Sequence, residues 1–222
     1  MNARLLLGIP SIILALAASA TTQTQQQAPA GVANITRAGK AYVSGENPGI
    51  RLLDKQDGAT LTQVSFWRVH WSPVGTGHVC YVTVGEDKSP GELRIALHDN
   101  QKLFDHLTKE MLGTFNKAFV DRPFVPVGGA TFSFAGDALR ERREFCRSDR
   151  YSVELIWRDL QTPYLIDILA GSRPPNPFGL TYLRIPAGSA EVIINGKPAP
   201  GKAFLGQAGP SAFLAFGETW LK

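Results

Sequence analysis

The chain is poor in the residues that usually announce a chemistry. Among 222 residues there are two cysteines, two methionines and four histidines. No CxxC pair occurs, which excludes a dithiol redox motif and a four-cysteine zinc site. A GxSxG nucleophile elbow, an HExxH zinc helix, a Walker A loop, a GxGxxG turn and an SxxK pair are missing as well. The familiar hydrolase and nucleotide-binding classes are thereby disfavoured, and neither a cofactor nor a metal is expected. Any catalytic group must come from residues that separate strands bring together.

Charge of one sign is also lacking. The 23 Lys+Arg and 19 Asp+Glu nearly cancel. No basic stripe interleaved with aromatic residues occurs, so nucleic acid is not an expected partner. Beyond residue 20, no apolar run approaches the roughly 20 residues that span a bilayer.

What is present begins at the N-terminus. Arg4 precedes an apolar stretch over 5–17, interrupted only by Gly8, Pro10 and Ser11, and Ala18-Ser19-Ala20 has the small-x-small form of a signal-peptidase site. The stretch is too short to cross a membrane. The sequence therefore predicts a cleaved signal peptide over 1–20 and a protein that works in the periplasm or outside the cell. The mature chain would carry 22 Lys+Arg against 19 Asp+Glu, since the leader holds one arginine and no acid. Residues 21–32 are polar, uncharged and aperiodic, as in a flexible linker. Residues 33–222 then form a single β-rich domain. In an oxidising compartment the even cysteine count favours a Cys80–Cys146 disulfide, worth about 4 kcal/mol for so long a loop.

From residue 33 on, turn residues recur every 8–12 positions between short runs rich in Val, Ile, Phe, Tyr, Trp and Leu. That spacing predicts an antiparallel β-barrel or sandwich of about 8–10 strands. The clearest strands are 61–71, 79–85, 93–98, 131–135, 151–158, 164–170, 181–185 and 190–194. Asn195-Gly196 is a hairpin signal that should return residue 197 beside the strand before it, and a last strand falls within 212–216. One segment departs from this pattern. Leu103, Phe104, Leu107, Met111, Leu112 and Phe115 have helical spacing, which predicts one amphipathic α-helix over about 100–118, capped by Asp99 or Asn100. Its outward face would carry Lys102, His106, Lys109 and Glu110.

Candidate site residues cluster between Arg68 and Tyr81. Ser72 to Gly77, with one proline and two glycines, reads as a hairpin loop. A hairpin symmetric about Val74 would set His70 opposite His78 and Arg68 opposite Cys80, with Cβ atoms about 5 Å apart. Two imidazoles that close could share an anionic ligand or a proton. A zinc site needs further ligands, which the sequence does not supply. A β-bulge here would separate the pair. The other face of the hairpin carries Trp67, Val69, Trp71, Val79 and Tyr81, either as core or as pocket wall. Asp167 lies in an otherwise apolar run; it is a candidate general base or pocket anchor, or a carboxylate at a solvent-facing sheet edge. The mixed charges over 137–150 read as a solvated strand face or as an anion site. Asn34-Ile35-Thr36 is a glycosylation sequon.

These readings converge on an exported, soluble, β-barrel-like protein that binds a small, partly apolar ligand through His70, His78, Trp71, Tyr81 and Asp167. Two alternatives stand beside it. One is a small enzyme without a motif, a hydrolase or isomerase using His70 or His78 with Asp167 as acid–base groups. The other is an envelope interaction module without a pocket.

Overall fold

The computed structural model describes residues 40–85, 91–115, 117–172, 176–206 and 209–221. The segments expected to be a signal peptide (1–20) and a linker (21–32), and the Asn34 sequon, lie outside the described residues. The strands are β1 (Lys40–Glu46), β2 (Gly49–Leu53), β3 (Thr60–Trp71), β4 (Gly77–Val84), β5 (Leu93–His98), β6 (Val125–Val127), β7 (Thr131–Gly136) and β8 (Glu141–Arg147). They continue as β9 (Ser152–Leu160), β10 (Tyr164–Ile168), β11 (Phe178–Ile194), β12 (Lys197–Pro198), β13 (Leu205–Gly206), β14 (Gly209–Pro210) and β15 (Ala212–Leu221). The expected all-β architecture with one helical stretch holds. It is a sandwich-like curled sheet and not a closed barrel.

The main sheet runs β6-β5-β4-β3-β1-β15-β11-β9-β8-β7. Among the described residues only the β5–β6 pair is parallel; the other pairs are antiparallel. β1 and β2 lie along the same two neighbours, β3 and β15, on either side of Asn47-Pro48, where proline has no N–H to give to a ladder. β11 joins two expected strands into one. Its first half pairs with β15 and β10, and from Ala187 onward it pairs with β9. After Asn195-Gly196, both at positive φ, Lys197 returns opposite Ile194 as the turn signal predicts.

Strict alternation along β3 and β4 builds two cores, one on each face. Ile50, Val64, Phe66, Cys80, Val82, Leu97, Cys146, Leu155 and Trp157 fill the inside of the curl. Trp67, Val69, Val79 and Tyr81 point outward and are covered by Leu103, Phe104, Leu107 and Met111. That settles the hairpin's aromatic face as core, except for Trp71 at the strand end, which is 48% exposed.

The helical stretch starts as α1 (Gln101–Asp105), with the Asn100 side chain accepting from Leu103 N, and continues as a π-helical stretch, His106–Leu112. A last turn, α2, is Gly113–Phe115, and a separate turn, α3, is Ala118–Asp121. Leu103, Leu107 and Met111 are buried as expected, and Lys102, Lys109 and Glu110 are exposed. His106 is the correction. The wider π turn carries it into the interface, 4% exposed, where Nδ1 meets Glu110 Oε2 at 3.0 Å and the ring packs on Tyr42.

Candidate functional site

The inner face of the curl changes character toward the β3–β4 hairpin. On β3 the series Val64, Phe66 ends in Arg68 and His70, and on β4 Val82 and Cys80 end in His78. β8 faces them with Cys146, Glu144 and Arg142. The apolar core is therefore closed at this end by ions.

Glu144 is fully buried and holds this cluster together. Its Oε2 accepts from Arg68 Nη2 at 2.6 Å, and its Oε1 accepts from Arg142 Nη2 at 2.7 Å and Nε at 2.9 Å. Arg142 Nη2 also donates to Glu46 Oε2 at 3.1 Å. Charge-assisted bonds of this kind offset the cost of taking a carboxylate out of water. Phe134, half exposed, lies over both guanidiniums, 4.6 Å from Arg68 and 4.0 Å from Arg142. The 137–150 charges are thus only partly a solvated face. Glu141 and Arg143 follow that reading, linked at 2.6 Å, whereas Arg142 and Glu144 point inward.

The hairpin register differs from the symmetric one. Arg68, not His70, is paired with His78, and Phe66 is paired with Cys80. β3 and β4 separate beyond Val69–Gly77, and β1 slips there, pairing Ser44 with Trp71 and Gly45 with Val69. His70 is the extra residue at this bulge, a device that re-aims one side chain. Its Nε2 sits 3.6 Å from Glu46 Oε1. The opposed-histidine arrangement is therefore overturned.

The separation of the two strands opens a cleft of about 930 Å³, and Arg68, His70, Thr76, His78, Asp99 and Lys102 border it. Both histidines still reach one site, although they do not face each other across the ladder. His78 has a partner that the sequence reading used only as a possible helix cap. Its Nδ1 lies 2.6 Å from Asp99 Oδ2, while its backbone N–H donates to Asp99 Oδ1 at 2.7 Å. Burial would raise the Asp99 pKa, but the bonds from the His78 ring and backbone hold it below the ordinary aspartate value. The ionised carboxylate keeps the imidazole proton on Nδ1, which leaves Nε2 as the acceptor. The ring is further fixed by stacking on Phe132 at 4.8 Å. Asn100 braces the loop by donating to Thr76 O at 2.9 Å.

The remaining expected site residues lie elsewhere. Tyr81 is buried under the helix, its hydroxyl 2.8 Å from Thr108 Oγ1. Trp71 stands exposed beyond the splay. Asp167 is exposed on β10, where its Oδ1 accepts from Thr181 Oγ1 at 2.9 Å. Of the alternatives the sequence offers for Asp167, the solvent-facing sheet edge is the one observed: β10 pairs with β11 alone, leaving Leu165 77% and Leu169 60% exposed. Among the described residues no group of three or more His, Cys, Asp and Glu could hold a metal ion.

Glu46 is not marked by the sequence at all, Asp99 reads there only as a helix cap, and Arg142 and Glu144 only as part of the 137–150 charges. One signal could have found two of them. A Cys146 placed inside for a disulfide puts Glu144 and Arg142 on the same strand face, two and four positions along. Compared with protein-family models, curated proteins and solved structures, the chain matches none of them.

Proposed function

We propose that this is an exported binding protein whose ligand is small, carries an anionic group and sits in the cleft at the splayed end of β3 and β4. The observation that carries the reading is the convergence of Arg68, His70, His78 and Lys102 on one open cleft. Arg68 and Arg142 are balanced by Glu144 and Glu46, so the exposed Lys102 ammonium is the charge a ligand meets, and the His78 Nε2 edge adds a directional contact. A ligand enclosed in the curl has less support, because apolar side chains already fill that space. Isothermal titration with citrate, succinate and inorganic phosphate tests the proposal. At least one should bind saturably, and His78→Ala or Lys102→Ala should weaken it at least tenfold without unfolding. Absence of binding by all three, or variants that bind like wild type, would overturn it.

The His78–Asp99 contact favours acid–base catalysis as a second reading. The dyad has the geometry of a general base oriented by a carboxylate, with Asp99 in the role the sequence reading gave to Asp167. Ester hydrolysis lost in His78→Ala and kept in His70→Ala would support it; equal rates in both would dismiss it.

Export and the disulfide belong to the same proposal. Cys80 and Cys146 lie next to each other in the core as free thiols, both wholly buried. In an oxidising compartment their closure would tie β4 to β8 directly beneath the Arg68–Glu144 pair. Thiol labelling of unreduced, denatured exported protein should find no free cysteine. Two labelled thiols would refute the bridge.

A further inference from the structure

The outer face of the sheet carries a second cavity, which shares no lining residue with the cleft. It measures about 110 Å³ and lies across β1, β15 and β11. Trp67, Phe213, Tyr182 and Arg184 are among the side chains that line it. Gly45 and Gly217, cross-strand partners, leave the floor without side chains. That bare floor is enforced by close backbone approach: a Cβ on Gly45 would come within 2.1 Å of Arg68 O, and one on Gly217 within 2.2 Å of Thr181 O.

The polar groups around this cavity are unevenly satisfied. The Trp67 indole N–H already donates to Ser65 Oγ at 3.1 Å, so the ring is free to serve as a flat wall. The Arg184 guanidinium is held between aromatic rings, 4.1 Å from the Phe213 centroid and 5.4 Å from that of Tyr182. Its Nη2 donates to the Tyr182 hydroxyl at 3.0 Å. Its Nε is buried with no hydrogen-bond partner, and among the described residues no ion pair engages it. Glu218 is at the rim but exposed. An arginine oriented by aromatic stacking and left without a carboxylate is a ready anion receptor.

We infer that this cavity is a second ligand site, built for a single planar ring bearing a carboxylate. Its volume is on the scale of the roughly 150 Å³ cavity that holds one benzene molecule. The ring lies over the bare floor between Trp67 and Phe213, and the carboxylate accepts from Arg184. The inference does not depend on the cleft proposal.

The test is an NMR titration of the full mature chain with sodium benzoate at constant ionic strength, following the Trp67 indole and Arg184 Nε–H signals. Saturable shifts at both are expected, at least tenfold weaker in Arg184→Gln and unchanged in Lys102→Ala. Benzyl alcohol, which keeps the ring without the charge, should bind wild type at least tenfold more weakly, a comparison that decides the matter even if Arg184→Gln fails to fold. Three results would overturn the site: no saturable shift at Trp67, equal affinity for benzoate and benzyl alcohol, or shifts abolished by Lys102→Ala.

Discussion

His78 and His98 lie one register step apart on opposite faces of the same pair of strands, since Val79 pairs with His98. His78 points into the curl, is a quarter exposed, and has Asp99 on Nδ1. His98 points under the helix, is 3% exposed, stacks on Phe104 at 5.0 Å, and has no hydrogen-bond partner on either ring nitrogen. Burial lowers the His98 pKa below the ordinary histidine value, against the pull of Asp99 and Asp105. Residue type is the same in both cases; the face decides whether the imidazole is a chemical group or a piece of core. The contrast extends to the two cores. The helix-side core is closed by apolar side chains, the inner core by the Arg68–Glu144–Arg142 cluster.

The sharpest way to break this contrast is to remove the ion that closes the inner core. Glu144→Gln leaves two mostly buried guanidiniums short of a counter-charge and should cost about 3–5 kcal/mol by urea denaturation. A loss below about 1 kcal/mol would mean that water reaches the cluster freely. On the helix side the corresponding change is Leu107→Ala. Leu107 is wholly buried, so about 2–5 kcal/mol should be lost. A value under about 0.5 kcal/mol would show that the helix is not holding that face.

His98 sharpens the comparison through pH. Its folded-state pKa is depressed, so as pH falls below about 6.5 the unfolded chain takes up the proton first and stability drops until the folded pKa is passed. His98→Phe should flatten that part of the stability–pH curve and stay within about 1 kcal/mol of wild type at pH 7, because no satisfied polar group is lost. An unchanged pH profile would contradict the burial argument.

The smallest effect on stability, and the most local, is expected from Asp99→Asn. The Asp99 pKa is lowered, so its contribution is present above the ordinary aspartate range and is lost as pH falls through the folded value. The variant should lose that acid-side slope. It should also change the His78 tautomer distribution, read from imidazole 15N shifts, while His70 stays as in wild type. If the His78 tautomer does not respond, the dyad does not orient the ring.

Local patterns in the chain foretold much of this fold. Alternation along 61–71 marked both faces of β3, helical spacing marked Leu103, Leu107 and Met111 as core, and Asn195-Gly196 marked a tight turn. The exceptions have physical causes. His106 was misplaced because a π turn shifts the face that a 3.6-residue period assigns. The apolar composition of β10 leaves a pocket anchor and a solvent-facing edge both open for Asp167; what covers a strand decides between them, and β10 is paired on one side alone. His70 was set opposite His78 because a symmetric loop was assumed, whereas a bulge and a two-residue offset fix the actual register.

Taken alone, the sequence determined most of the strands from residue 61 on, though not β1 or β2, where the helical stretch lies and which of its apolar side chains are core, because those properties repeat over two to four residues. The tertiary structure decided which polar groups meet. Arg68 finds Glu144 across 76 residues and His78 finds Asp99 across 21. No periodicity encodes such a pairing, because it depends on how far the sheet curls and on where two strands part.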